Sequence, residues 1–162
     1  MPFTPLHLGP GALFKGLGGD KFSFMVFGGS QVLMDLEPAY RMIVEDSIIH
    51  GPSHTLAGAA VIGAIAILSG KPISEFVLRR IAYPRPTMTW LAAATGAFAG
   101  TFSHIFFDAI MHADMMPWMP ISNSNGLLGL VSTGTLHIMC LVFGAIGAGL
   151  FFARRSSNQA VQ

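Results

Sequence analysis

Long apolar runs constrain the fold of this chain more than any other feature. Three segments, 53–70, 87–112 and 126–155, each contain roughly 18 or more largely uncharged residues, which is enough for a helix to cross a bilayer. A fourth, 22–38, would span only if it were tilted or shielded by its neighbours. Only 10% of the 162 residues are charged, against about 25% in an average soluble domain. The sequence therefore predicts an all-α, polytopic membrane bundle of about four transmembrane helices.

Two shorter segments complete the predicted bundle. Residues 8–19 are expected to form a half-helix, the first arm of a hairpin that turns at 18–20. Residues 73–83 have apolar side chains at helical spacing beside two arginines, which is typical of a helix on a membrane surface. The preceding span is expected to end at 70–72. We expect one membrane-embedded domain over residues 1–155 and a short polar tail over residues 156–162.

Positive charges fall unevenly on the two predicted membrane sides. Only Arg41 lies on one side, and the other carries Lys15, Lys21, Lys71, Arg79, Arg80, Arg85, Arg154 and Arg155. By the positive-inside rule, the side rich in lysine and arginine is cytoplasmic, and so is the C-terminus. We expect a bacterial inner-membrane protein. Its outer side carries the carboxylates Asp35, Glu37, Glu45, Asp46, Asp108 and Asp114.

Ionisable side chains interrupt the apolar runs, and the predicted topology brings several of them to one depth. Asp35 ends a rising helix and His54 begins the next descending helix. His104 and Asp108 are four residues apart, so they share one face of the following helix. His7 reaches the same level if the N-terminal hairpin inserts from the outer side. Ionisable groups in membrane helices cost about 2.5–3.5 kcal/mol each at the bilayer centre, and such residues are functional by default.

Imidazole and carboxylate groups form a suitable ligand set for a divalent ion. We expect Zn²⁺, with manganese or iron as alternatives, because the ligands offer nitrogen and oxygen. Cys140 lies inside an apolar run and is expected to be a core residue. The predicted metal ligands are His7, Asp35, His54, His104 and Asp108. Glu37 is the predicted catalytic base, and His112 is the predicted positioning group or proton donor to the leaving group.

Two further histidines are predicted to lie outside this site. His50, in the loop "IIHGPSH", is expected to be solvated. His137 is expected to be a hydrogen-bonded residue of the last helix. For the His104–Asp108 pair alone, metal binding and an interhelical hydrogen bond are equally supported. The joint placement of this pair with Asp35 and His54 favours a site.

Two other classes of protein remain open from the sequence. In one, the chain is a non-catalytic membrane subunit or adaptor whose polar cluster holds the helices together. In the other, His104 and His137 bind haem from separate helices, although neighbouring carboxylates suit a hard divalent ion better. The sequence leaves a protein partner or a homo-oligomer open. A net charge of +1 and the lack of a basic cluster argue against nucleic acid as a ligand.

Small residues recur at the spacing that lets membrane helices approach closely. Gly96 and Gly100 form a GxxxG pair, which Ala92 extends by one turn. The last helix contains Gly144, Gly147 and Gly149. We expect these residues to serve helix packing.

Around the predicted site, the chain resembles the YdjM-type family of bacterial and archaeal integral-membrane proteins, described as membrane-bound metal-dependent hydrolases. The resemblance runs over roughly the first 112 residues, through "TPLHLGPG", "QVLMDLEP", "HGPSHTLAG" and "SHIFFDAIMH". The family's early histidine, acidic segment, His-Thr pair and later His-x3-Asp correspond to His7, Asp35 with Glu37, His54 with Thr55, and His104 with Asp108. "MDLEP" departs from the Pro-Asp-x-Asp type segment common in relatives. The resemblance implies a hydrolase, and the depth of the site favours a lipid or phosphoester substrate at the outer face.

Overall fold

The structure is a computed structural model that describes residues 5–84 and 87–160. Within these residues the chain is helical, with short 3-10 turns and loops between the helices and no strand. The five α-helices are α1 (Leu8–Gly18), α2 (Phe24–Ile43), α3 (Leu56–Arg80), α4 (Trp90–Met111) and α5 (Thr133–Ala160). The all-α prediction is therefore confirmed for the part of the chain that the structure describes.

Hydroxyl groups fix the points at which three of the helices begin. Ser23 caps α2, Thr55 caps α3 and Thr89 caps α4, each accepting a hydrogen bond from the backbone N–H three residues later. Such caps satisfy amides that the first helical turn leaves without partners. α5 begins later than predicted, because residues 126–130 form turns instead of helix.

α3 does not end at 70–72 as predicted but continues through Pro72 to Arg80. Proline inside a helix removes one hydrogen bond and usually kinks or breaks the helix. Here the Glu75 carboxylate pairs with Lys71 across the proline and also accepts a hydrogen bond from Met88 N at 3.0 Å. These contacts hold the last turns of α3 against the segment that leads into α4. The predicted separate surface helix over residues 73–83 is therefore wrong.

Helix α5 continues into the segment that the sequence predicts to be a short polar tail. Residues 156–160 belong to α5, and 161–162 lie outside the described part of the chain. The hydroxyls of Ser156 and Ser157 donate to the carbonyls of Phe152 and Ala153, four residues earlier. Such local bonds let serine be accommodated within a continuing helix.

Two groups of helices make up the bundle. α1 runs parallel to α5: Gly9 lies against Cys140, and Gly16 lies against Gly147 further along. α2, α3 and α4 form the other group, in which α2 and α4 run parallel to each other and α3 runs antiparallel to both. A core of small side chains lets these three helices approach closely, and it contains Val26, Ala66, Ala93 and Ala97. The predicted hairpin of α1 and α2, with its turn at 18–20, is confirmed.

Two helices, Leu56–Arg80 and the Thr133–Arg154 part of α5, are long and apolar enough to cross a membrane. Only 17% of the most apolar window of each is buried within the protein, whereas the core helix of a soluble protein is mostly buried. α2 and α4 are not apolar enough to meet this length and hydropathy criterion. Asp35, Glu37 and Arg41 lower the mean hydropathy of α2, and His104 and Asp108 lower that of α4. The predicted four-span bundle is not confirmed.

Charged side chains separate to the two ends of the bundle. Lys15 donates to the carbonyls of Gly19 and Phe22 in the α1–α2 turn, and Arg154 lies beside Gly19. Lys71, Arg79 and Arg80 belong to the same end, because they occupy the last turns of α3. Arg85 and the side chain of Arg155 lie outside the described part of the chain. The histidines and every aspartate except Asp20 gather at the opposite end, where Arg41 pairs with Glu37.

Candidate metal centre

Asp108 lies at the centre of a group of imidazoles that come from four parts of the chain. Its Oδ2 atom is 3.0 Å from His104 Nε2, 3.6 Å from His54 Nε2 and 4.0 Å from His50 Nε2. Its Oδ1 atom is 3.9 Å from His7 Nε2. The carboxylate is buried, with 5% of the residue exposed. Four imidazole nitrogens therefore surround one buried carboxylate.

Helix ends and helix faces bring these residues together. His7 directly precedes α1, and His54 closes the short 3-10 turn before α3. His104 and Asp108 share a face of α4, and Asp35 of α2 brings its Oδ1 to 3.3 Å from His104 Nε2. All five predicted metal ligands thus lie side by side at one end of the bundle.

Four buried nitrogens in this group have no hydrogen-bond partner in the described part of the chain: the Nε2 atoms of His7, His50, His54 and His104. His104 Nε2 is close to Asp108 Oδ2 but not oriented for a hydrogen bond to it. Leaving a buried polar group unsatisfied costs about 1–3 kcal/mol, so such groups are rare. A divalent cation would satisfy several of these nitrogens at once. The arrangement therefore fits a metal ion.

Gln31 fixes the tautomer of His104. The Gln31 Nε2 group donates to the carbonyl of Gly100 at 3.1 Å, so its Oε1 faces the imidazole, 2.6 Å from His104 Nδ1. An amide oxygen only accepts, so Nδ1 carries the proton. In the neutral ring, His104 Nε2 then keeps its lone pair, directed toward Asp35 and Asp108, as a metal ligand requires.

Asp114 fixes His50 in the same way. Its carboxylate accepts hydrogen bonds from the backbone N–H groups of Ile49 and His50, both at 3.0 Å, and from His50 Nδ1 at 2.9 Å. Burial alone would raise the pKa of Asp114, but the hydrogen bonds from His50 hold that pKa at about 2. The prediction that His50 is solvated is wrong, because only 5% of the residue is exposed.

Glu37 supports His54 through the backbone. Its Oε2 accepts a hydrogen bond from Ser53 N at 2.8 Å, and Ser53 Oγ lies 2.8 Å from His54 Nδ1. Its Oε1 pairs with Arg41 at 2.8 Å. Gly51 packs so closely on this pair that a Cβ atom would overlap both side chains. Because both oxygens are engaged, the geometry favours a positioning role for Glu37 over the predicted role of base.

Burial keeps several of the imidazoles neutral. It lowers the pKa of His7 to about 4, although the nearby Asp108 opposes the shift, and it lowers the pKa of His54 as well. The contacts of these two rings with Asp108 are therefore not ion pairs at neutral pH. Neutral rings offer the lone pairs that a metal needs.

Of the two remaining histidines, His112 lies at the cluster and His137 lies outside it. The His112 ring is half-buried and packs on the His50 ring with centroids 4.5 Å apart, and burial lowers its pKa. His137 is half-buried on α5 and does not belong to the converging ligand groups.

The possible ligand atoms form two groups, each with its atoms within 4.8 Å of one another. One contains Asp35, His54 and His104, and the other contains His50, Asp108 and His112. Imidazole nitrogen and carboxylate oxygen suit Zn²⁺, Mn²⁺ and Fe²⁺. Cys140 lies elsewhere, against Gly9 in the α1–α5 contact, so no thiolate belongs to these groups among the described residues. The cluster can hold a metal ion.

No protein-family model, curated protein or solved structure matches this chain. The resemblance to the YdjM-type family accordingly remains a prediction from short motifs. Two features of the structure bear on its function: the buried histidine and aspartate cluster, and the two apolar helices.

Proposed function

We propose that this chain is an integral-membrane, metal-dependent hydrolase of the YdjM type. The observation that carries the proposal is the set of four buried imidazole nitrogens around Asp108 that have no hydrogen-bond partner among the described residues. A cluster with a purely structural role would be expected to pair its polar atoms, because unpaired ones are costly. Metal binding gives these nitrogens a common partner.

Asp35, His54 and His104 would hold the ion, with Asp108 and His7 beside them. The ion, with Zn²⁺ preferred, would supply Lewis acidity for activating water and polarising the bond to be broken. Hydrolysis adds water across that bond and releases an alcohol and an acid. Gln31 fixes the tautomer of His104, and Ser53 contacts the His54 ring.

The surfaces of α3 and α5 support a membrane location. Their apolar windows are mostly unburied, which suits helices that face lipid. Apart from Arg41, the described lysines and arginines gather at the end away from the cluster, and the positive-inside rule would make that end cytoplasmic. In a bacterial inner membrane the cluster would then face outward, at headgroup depth. A lipid or lipid-linked ester or phosphoester is the substrate class that fits this depth.

Metal content tests the proposal directly. The protein is purified in detergent, loaded with Zn²⁺, dialysed and analysed by elemental mass spectrometry beside His104→Ala and Asp108→Ala. We expect bound zinc in the wild type and a lower zinc content in both variants. His137→Ala is the matched control, because it removes an imidazole outside the ligand groups and should retain the metal.

Two outcomes would contradict the proposal. Equal metal content in His104→Ala and the wild type would show that the ion binds elsewhere. No metal in the wild type after loading would favour a structural polar cluster, and with it the alternative of a non-catalytic subunit. With metal bound, release of an alcohol or a phosphate from lipid esters, lost in His104→Ala, would establish hydrolysis.

A further inference from the structure

The second ligand group is held in place by different residues from those that hold the first. It contains His50, Asp108 and His112, of which only Asp108 was predicted to be a ligand. Asp108 Oδ2 lies within 4.0 Å of His50, His54 and His104, so it borders both groups. This inference rests on the proposed function and extends it.

The surroundings of His50 suit a metal ligand. Its ring is buried, and its Nε2 atom is directed toward Asp108 and has no hydrogen-bond partner in the part of the chain that the structure describes. Asp114 accepts the hydrogen bond of Nδ1, which leaves the lone pair on Nε2. Carboxylate groups hold metal-binding histidines in this manner in many proteins. Since His50 lies in a loop, the three hydrogen bonds to Asp114 are what hold the ring in place.

His112 completes the group from the end of α4. Its backbone N–H donates to the carbonyl of Asp108 at 2.8 Å, which closes the last turn of the helix. Asp108 and His112 are therefore one turn apart, and the His112 ring packs on that of His50. This contact holds the two rings of the second group together.

We propose that the cluster binds two divalent ions rather than one. Asp35, His54 and His104 hold the first ion, and His50 and His112 hold the second, with Asp108 between the two. His112 then acts as a metal ligand, which replaces its predicted role as a proton donor.

Two neighbouring ions favour a phosphoester as the substrate class. Pairs of divalent ions recur in phosphatases and nucleases, because two cations stabilise both the attacking and the leaving oxygen at phosphorus. Two ions bring four positive charges, whereas Asp35, Asp108 and Asp114 supply three negative charges. The surplus favours an anionic phosphoester over a neutral carboxylic ester.

The number of metal ions bound per chain distinguishes a one-ion site from a two-ion site. The purified protein is saturated with Mn²⁺, dialysed, and measured for manganese per chain and by electron paramagnetic resonance. We expect about two ions in the wild type with an exchange-coupled spectrum. In His50→Ala and His112→Ala we expect about one ion and the six-line spectrum of isolated Mn²⁺. His137→Ala should keep both ions and the coupled spectrum.

The outcomes separate this inference from the proposed function. About one ion per chain in the saturated wild type would overturn the second metal position and leave the proposal of a single-ion hydrolase standing. No ion in the wild type would remove both. His112 is half-buried, so His112→Ala remains informative if His50→Ala fails to fold. Two ions retained in a folded His112→Ala would show that this ring is not a ligand.

A substrate comparison tests the phosphoester class. The manganese-loaded protein is assayed with p-nitrophenyl phosphoesters and with p-nitrophenyl acetate. We expect hydrolysis of a phosphoester, with at least a tenfold loss in His112→Ala. Faster turnover of the acetate that His112→Ala leaves unchanged would overturn the assignment of substrate class.

Discussion

Gln31 holds the His104 ring through a 2.6 Å hydrogen bond from His104 Nδ1 to its side-chain oxygen. The same amide donates to the Gly100 carbonyl on α4, four residues before the histidine. One side chain of α2 therefore fixes both the orientation and the tautomer of a metal-ligand candidate on α4. The contact also links the two helices that carry Asp35 and Asp108.

Gln31→Met should weaken metal binding without removing a ligand. Methionine fills a similar volume but cannot accept the proton of Nδ1, so the ring loses its fixed tautomer. Loss of such a supporting contact typically costs about 10- to 100-fold in metal affinity. Competition with a chromophoric chelator measures the change. Ser103→Ala is the matched control, because Ser103 also donates to the Gly100 carbonyl, at 3.2 Å. Equal affinity in Gln31→Met and the wild type would contradict the assignment.

Asp114→Asn should weaken the second ion and spare the first. Asparagine keeps one oxygen for the backbone N–H groups of Ile49 and His50, but it would turn its NH₂ group toward His50 Nδ1. The ring would then place its proton on Nε2 and could no longer bind a metal there. We expect a loss of about 10- to 100-fold for one ion in a stepwise titration. A weakening of both ions together would show that Asp114 supports the whole cluster.

Most of the cluster could be predicted from the sequence because helix geometry is local. The spacing of His104 and Asp108 places both on one face, and the ends of the apolar runs place Asp35 and His54 at similar depth. His50 and Asp114 had no such signal, since each lies in a loop whose position depends on contacts between distant segments. Their hydrogen bonds join residues 64 positions apart in the chain. The one available hint was that His50 and His54 are four residues apart.

The fold shows the same division between local and distant effects. The α1–α2 hairpin follows from a glycine-rich turn between two short apolar segments, and it was predicted. The extension of α3 past Pro72 depends on Glu75, which pairs with Lys71 and also binds the backbone of Met88. That last contact joins α3 to the segment before α4, so no local rule predicts it. The role of Glu37 likewise depends on Ser53, which lies 16 residues away.

Gly147→Ala should destabilise the contact between α1 and α5. A Cβ atom at Gly147 would overlap the backbone of Ala12 and Leu13, and backbone atoms cannot yield as a flexible side chain does. Overpacking of this kind costs about 1–3 kcal/mol. Gly149→Ala, on the same helix, is the matched control, because no atom of the described residues lies within 4 Å of a Cβ there. It should be neutral or stabilising by about 0.5–1 kcal/mol, since alanine favours helices over glycine. Thermal unfolding in detergent compares the two variants, and equal melting temperatures would argue against this packing.

Cysteine labelling can test the membrane orientation that the charges favour. Asn123→Cys places an exposed thiol in the loop between α4 and α5, at the end that carries the cluster. Ser157→Cys places one near the end of α5, and the buried Cys140 provides an unreactive background in the wild type. Intact spheroplasts are treated with a membrane-impermeant maleimide, and the membranes are then isolated.

We expect label on Asn123→Cys but on Ser157→Cys only after lysis, because the cationic end of the bundle should face the cytoplasm. The reverse pattern would place the cluster at the cytoplasmic face and overturn the proposed access from outside. Recovery of the protein in the soluble fraction would overturn the membrane location itself. The metal site would survive either result, since it depends on contacts within the chain and not on the lipid around it.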